Sequence, residues 1–274
     1  MRHITASEII ENYDNILLDA FGVLVNPEGA ISFAPEFIDE LNKRNKNYYV
    51  VSNGSKFLSS KSAESYRKRG LDIEDKNVIT SGSLLKNWFE RNQENKAVKL
   101  LGPKESVELL DWAGATLVKD DSYNTLVICN QDGFKFPEDI DQSISEVANK
   151  VKSGENIRLI LPNPDLIYPS SSGYGITSGS IAIMIEKSLE IILGDKAPKF
   201  EKLGKPYSPI FKEAIENLSG KTCMIGDQFE TDVLGANNIG IDSILVETGI
   251  CNEDGAKNLD ANKVPTFILK NLKL

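Results

Sequence analysis

Four short, uninterrupted apolar runs, each followed by polar or glycine residues, constrain this chain more than any other feature. Ile16-Leu17-Leu18 ends in Asp19, and Tyr48 to Val51 ends in Ser52-Asn53-Gly54. Cys223-Met224-Ile225 ends in Gly226-Asp227, and Ser243 to Val246 ends near Thr248-Gly249. A run apolar at every position, rather than at alternate ones, reads as a strand buried on both faces, as in a parallel sheet covered by helices. Helical spacing lies between the runs. Pro35 to Arg44 places Phe37, Ile38 and Leu41 on one face, and Ser208 to Leu218 does the same with Ile210, Phe211, Ala214, Ile215 and Leu218. Ser208-Pro209 reads as an N-cap and first-turn pair, because proline lacks the N–H that a helix start leaves unpaired. Strands alternating with helices predict an α/β fold, a Rossmann-like doubly wound parallel sheet. Ligands of such sheets bind beyond the carboxyl ends of the strands, where these polar residues stand.

The middle of the chain carries its own alternation. Ala97 to Leu101, Thr125 to Cys129 and Ile157 to Leu161 read as strands, and Glu105 to Trp112 and Glu138 to Val151 as helices. The expected organisation is a core of residues 1–81 and 180–274 with an inserted α/β unit over 82–179. Hinges near Thr80-Ser81 and Ser178-Gly179-Ser180 would let the two open and close. Trp88 and Trp112 both read as core. Their region, or the exposed face of the insertion, is the alternative seat of a homodimer contact.

Composition removes several chemistries. Aspartate and glutamate total 40 against 31 lysines and arginines, a formal charge of −9. Such a balance argues against nucleic acid and against an anionic membrane surface as partners. The one histidine, His3, lies near the start of the sequence, so a Ser-His-Asp triad, a Cys-His pair and a multi-histidine zinc site are all excluded. Cys129, Cys223 and Cys251 are few and far apart, which suggests no disulfide framework and a reducing, cytoplasmic setting. Residues 1–15 carry Glu8, Glu11 and Asp14 with no apolar stretch, so they do not read as a signal peptide. No run approaches the ~18 apolar residues of a membrane helix.

The remaining chemistry rests on carboxylates, a lysine and hydroxyls. Gly226-Asp227-Gln228-Phe229-Glu230-Thr231-Asp232 sets two acids five apart where a buried strand gives way to a helix. Asp227 is placed to ligate a hard cation, with Asp232 as a second ligand or as the holder of a metal-bound water. The plainer alternative is that Thr231 or Asp232 only caps a helix. Asp19-Ala20-Phe21-Gly22-Val23 puts an acid at the end of an apolar strand, which is costly unless the charge is paired or metal-bound; the alternative is a turn-forming aspartate. Ser52-Asn53-Gly54-Ser55 suits an anion through its hydroxyl and amides, although such residues are common in turns. Lys205, in Gly204-Lys205-Pro206-Tyr207-Ser208, is within reach of an anion at the strand ends, although most lysines are simply solvated.

Taken in order, Asp19, Ser52, Lys205 and the Gly-Asp-x-x-x-Thr-Asp segment resemble the motifs of the haloacid dehalogenase (HAD) superfamily over nearly the whole chain. The insertion resembles the class II, subtype A cap (C2) of NagD-like and p-nitrophenyl-phosphatase-like members. Leu161-Pro162-Asn163-Pro164-Asp165 followed by Tyr168-Pro169 is similar to that group's Asn-x-Asp cap segment, and Gly173 to Glu186 to its return into the core. The resemblance implies a Mg²⁺-dependent phosphatase of small phosphorylated metabolites, with sugar phosphates among the candidates, working through an aspartyl-phosphate on Asp19. It implies Mg²⁺ held by Asp19, the backbone carbonyl of Phe21, Asp227 and Asp232. Ser52, with the amides of Asn53 and Gly54, would hold the phosphate. Lys205 would offset charge between Asp19 and the phosphoryl group, and Asn163 and Asp165 would face the substrate from the cap.

One position departs from that pattern. The phosphatases of the family carry an acid two residues after the nucleophile, and here Phe21 stands there. General acid–base assistance is typically worth 10² to 10⁴ in rate. Three readings follow. One is a phosphatase that is slow, uses an activated leaving group, or borrows an acid such as Asp165. The second is a phosphate-ligand binding or regulatory protein without turnover. The third is a hydrolase of another bond, such as carbon–halogen.

Overall fold

The four apolar runs form the middle of a seven-stranded sheet, each lengthened by about a residue at its ends. A computed structural model describes residues 2–170 and 173–274. The chain runs β1 (Arg2–His3), α1 (Ala6–Asn12), β2 (Asn15–Leu18), β3 (Val25–Asn26), β4 (Gly29–Ala30), α2 (Ala34–Lys43), β5 (Asn47–Ser52), α3 (Ser59–Lys68) and β6 (Val78–Thr80). It continues through α4 (Leu84–Arg91), β7 (Ala97–Leu101), α5 (Glu105–Trp112), β8 (Thr116–Leu117), β9 (Thr125–Ile128) and α6 (Glu138–Lys152). Next come β10 (Arg158–Leu161), β11 (Ile167–Ser170), β12 (Gly173–Ile176), α7 (Ser178–Leu193) and β13 (Phe200–Lys202). The last part holds α8 (Ser208–Ile215), β14 (Thr222–Gly226), α9 (Leu234–Ile239), β15 (Asp242–Val246) and β16 (Phe267–Leu269).

The chain divides into two compact units. The first comprises residues up to Ser52, Ser59–Thr80 and Lys205–Leu274. Its sheet has the order β1-β16-β15-β14-β2-β5-β6, and every neighbouring pair is parallel. Successive strand residues point to opposite faces, and each face is covered. Ile16, Leu18, Val50, Ile225 and Ile244 pack with Ile9, Phe37, Ile38 and Leu41 of α1 and α2. On the other side, Leu245 and Ile268 pack with Phe229 and Val233. This is the doubly wound α/β core expected of the apolar runs.

The second unit comprises Asn53–Leu58 and Ser81–Gly204. Its sheet, β13-β10-β9-β7-β8, is also parallel throughout. The insertion therefore starts one residue before the expected 82, but the return to the core comes at Lys205, not at 180. The reason is packing. Ile181, Ala182, Ile185 and Leu189 of α7, and Phe200 of β13, fill the second unit's own core beside Leu126, Ile128, Leu159 and Val147. The hinge expected near residues 178–180 falls in the first turn of α7 instead.

Smaller differences are also local. Helix α8 ends at Ile215, short of Leu218, whose amide closes a tight turn onto the Ile215 carbonyl at 2.9 Å. Tyr207, not Ser208, occupies its cap position, with Ser208 and Pro209 in the first turn. Trp88 is core, but Trp112 is 45% exposed, so only one of the two tryptophans is buried as expected. Among the described residues, no helix is long and apolar enough to cross a membrane.

Candidate active site

From β2 the chain adds β5 and β6 on one side, while β14, β15 and β16 extend the sheet on the other. The neighbours β2 and β14 thus lead the chain in opposite directions, which leaves a crevice beyond their carboxyl ends. Asp19 follows β2, its amide still donating to the Ile225 carbonyl at 2.9 Å. Asp227 follows β14. Asp232 is brought back by a single wide turn, in which the Val233 amide reaches the Gln228 carbonyl five residues earlier at 3.2 Å. The extra residue in that turn swings Asp232 toward the strand ends.

The result is a cluster of three buried carboxylates. One oxygen from each of Asp19, Asp227 and Asp232 lies within 4.8 Å of the others. Lys205 bridges two of them, its Nζ donating to Asp19 Oδ1 at 2.5 Å and to Asp232 Oδ1 at 2.7 Å. The other Asp232 oxygen accepts from the Gln228 amide at 3.2 Å, a bond within its own turn, and no side-chain cap is formed at either helix start. Asp227 Oδ2 accepts from the Ile250 amide at 2.8 Å, while Asp227 Oδ1 is buried without a hydrogen-bond partner.

Glycines make room for these acids. A Cβ at Gly22 or Gly249 would fall on Asp227 Oδ2, and one at Gly226 would fall on the Asp232 side chain. Gly22 also has φ +84°, a conformation that costs glycine little and other residues more. The Thr248 hydroxyl donates to the Gly22 carbonyl at 2.7 Å, tying the exit of β15 to the turn after β2.

The electrostatics are those of a site short of positive charge. Burial pushes the Asp227 carboxyl up to about 7, and the neighbouring Asp232 charge adds to the shift. Burial likewise raises Asp19, opposed by Lys205 and reinforced by Asp232 and Asp227. Burial pulls the Lys205 ammonium down, but Asp19 and Asp232 outweigh it and hold it above its ordinary value. Three carboxylates facing one ammonium, with a carboxylate oxygen left unpartnered, form a donor set suited to a hard divalent cation. The residues present therefore fit the expected metal.

The other expected residues are placed within their own units as follows. Ser52 is the last residue of β5, in register with Thr80, and Tyr66 belongs to α3. Burial, and then the charge of Asp19, keep the Tyr66 phenol above its usual range. Phe21 lies in a tight turn in which the Leu24 and Val25 amides both donate to the Ala20 carbonyl at 2.9 Å, and its ring is 54% exposed. In the second unit, Asn53 Nδ2 donates to Asp165 Oδ1 at 2.7 Å, and Asn163 Oδ1 accepts from the Asp165 amide at 2.9 Å. Asn163 and Asp165 thus reach the loop after β5 through Asn53. A Cβ at Gly204 would collide with Asn53 Oδ1, which accounts for the glycine before Lys205. Tyr66, Thr248 and the Ile250 amide escaped the sequence reading. Tyr66 sits three residues after Ala63 on what reads as a core-facing stripe. Only the polar end of the fourth apolar run signalled Thr248.

Comparison with known proteins identifies similar sequences and folds. The family described as haloacid dehalogenase-like hydrolase matches residues 16–116, and a HAD-hydrolase-like family matches residues 202–274. An acid sugar phosphatase of Staphylococcus haemolyticus is 25% identical over 97% of this chain and 96% of that protein. The crystal structure of a possible sugar phosphatase of the HAD superfamily from Cytophaga hutchinsonii is 29% identical, with a TM-score of 0.85 over 100% of this chain and 99% of that one. A 4-nitrophenylphosphatase from Thermotoga maritima shares the fold, with a TM-score of 0.79 at 24% identity over 96% of each chain.

Proposed function

We propose that this chain, which belongs to the haloacid dehalogenase-like hydrolases, is a phosphatase of small phosphorylated metabolites, with sugar phosphates as the substrate class. The observation that carries the reading is the buried cluster of Asp19, Asp227 and Asp232 bridged by Lys205, with Asp227 Oδ1 left unpartnered. The names of the similar proteins support the substrate class.

Asp227, Asp232, Asp19 and the Phe21 carbonyl would hold Mg²⁺. When bound, the ion would supply Lewis-acid charge to the phosphoryl oxygens. The chain's own residues do the rest. An Asp19 oxygen forms the bond to phosphorus as the bond to the leaving oxygen breaks, giving an aspartyl-phosphate. Water then attacks that phosphorus, releasing inorganic phosphate and restoring the carboxylate. Lys205 opposes the burial that raises the Asp19 carboxyl and offsets its repulsion with the incoming dianion. The Ser52 hydroxyl and the amides of Asn53 and Gly54 hold the phosphoryl oxygens. Phe21 has no proton to give, so leaving groups that depart as stable anions react fastest.

A second reading, a phosphate-binding protein without turnover, draws its support from Phe21 alone. Hydrolysis of p-nitrophenyl phosphate, assayed with and without Mg²⁺ beside Asp19→Asn, separates the two. Mg²⁺-dependent release of nitrophenol that disappears in Asp19→Asn supports the phosphatase. Saturable phosphate binding with no hydrolysis supports the binding protein. Hydrolysis that survives Asp19→Asn overturns the nucleophile.

A further inference from the structure

Ser81 opens the main segment of the second unit, directly after β6, and its hydroxyl reaches the loop that leaves β5. Ser81 Oγ donates to the Asn53 carbonyl at 2.8 Å and lies 3.2 Å from the Gly54 carbonyl. The Gly82 amide donates to the same Gly54 carbonyl at 3.1 Å. Ser81 has no solvent exposure. The approach is close because residue 82 is a glycine: a Cβ there would lie 3.0 Å from Ser55 Cα and 2.8 Å from Leu109 Cδ2.

A trans peptide is planar, with its C=O and N–H pointing in opposite directions. The Asn53 carbonyl shares a peptide plane with the Gly54 amide, and the Gly54 carbonyl with the Ser55 amide. Drawing both carbonyls toward Ser81 and Gly82 turns both amides away from them. Successive backbone amides aimed one way, with their carbonyls tied back, make a concavity suited to an anion. The Asn53 side chain is restrained separately, by Asp165. Ser81 therefore acts on the backbone of the loop and not on its side chains.

We propose that Ser81 is a positioning residue for anion binding: it ties back the carbonyls of Asn53 and Gly54 so that the loop presents its amides to a phosphoryl group. The identity of the anion rests on the phosphatase reading above. Ser81 belongs to the second unit, while Asp19, Asp227, Asp232 and Lys205 belong to the first.

Calorimetry on the full-length chain tests this with two probes, inorganic phosphate and Mg²⁺. Ser81→Ala is expected to weaken phosphate binding about tenfold, the equivalent of one hydrogen bond, with Mg²⁺ affinity within about twofold of wild type. Ser81→Cys keeps the volume with a weaker donor and is read in its place if the alanine variant does not fold; it is expected to weaken phosphate binding in the same selective way. Phosphate affinity unchanged in a folded variant overturns the proposal. So does an equal loss of phosphate and Mg²⁺ affinity, which would mean general loosening. A wild-type protein that binds no phosphate overturns the phosphatase reading itself, and this inference with it.

Discussion

The Lys205 ammonium lies 2.5 Å from Asp19 Oδ1 and is almost wholly buried. It also holds Asp232 at 2.7 Å, so a single cation ties two acids of the cluster together. Removing one partner of a buried ion pair typically costs about 3–5 kcal/mol, because the other charge stays buried and unpaired. Lys205→Met is expected to lower the melting temperature by roughly 10 °C for a chain of this size and to abolish phosphate-ester hydrolysis. The acids left behind can relieve themselves by taking up protons. The loss of stability should therefore be smaller at pH 5 than at pH 8. Scanning calorimetry at the two pH values checks it, and an equal loss at both would mean the ammonium is not offsetting ionised carboxylates.

Asp227 gives a second pH signature. Its carboxyl is pushed up to about 7 by burial, against 3.8 in an unstructured chain. Between about pH 4 and 7 the folded chain holds a proton that the unfolded chain has released. Stability of the metal-free protein therefore falls as pH rises through that window, and Asp227→Asn should flatten the slope. Mg²⁺ competes with that proton. Its addition should raise the melting temperature more at pH 8 than at pH 6, by several degrees at 100-fold excess over its dissociation constant. A rise that is larger at pH 6 would remove Asp227 from the metal site.

What could be read from the sequence follows from how each residue is placed. Asp19, Ser52 and Asp227 stand at the ends of strands apolar at every position, where an acid or hydroxyl breaks the pattern. Lys205 and Asp232 were placed by their motifs. The contributions of Tyr66, Ser81 and the Ile250 amide come from geometry that spacing does not encode. Tyr66 shares a helical stripe with Ala63, and the burial and the Asp19 charge that raise its phenol arise only once α3 packs on the sheet. Ile250 acts through its backbone, which no side chain advertises. The return boundary was misplaced because α7 carries enough apolar residues to serve either unit. The choice was made by packing against β9 and β10.

Phe21 is 54% exposed, so an acid there displaces no core. Phe21→Asp should change stability by no more than about 0.5 kcal/mol. It places a carboxyl two residues after Asp19, and under the proposed mechanism hydrolysis of alkyl phosphates should rise by roughly 10²-fold or more. p-Nitrophenyl phosphate, whose leaving group needs little protonation, should gain far less. The ratio of the two rates is the measurement. A folded variant in which that ratio does not move would show that the missing acid is not the limiting feature.

Gly249 tests whether the shape around Asp227 matters as much as its charge. A methyl group there would occupy the space of Asp227 Oδ2, the oxygen that accepts from the Ile250 amide. No unusual backbone angle is involved at Gly249, so the whole effect of Gly249→Ala passes through the carboxylate it displaces. An ångström of misplacement in a catalytic group can cost about 10²-fold in rate. Mg²⁺ affinity should fall at least about tenfold in Gly249→Ala, and hydrolysis should fall with it. Gly154→Ala is the control, because its Cβ meets nothing within 4 Å and its φ of +83° strains the backbone at a position outside the first unit. If the two variants lost Mg²⁺ affinity alike, general loosening of the chain would explain the effect, not the position of the Asp227 carboxylate. Loss confined to Gly249→Ala would tie cation binding to the position of the Asp227 carboxylate.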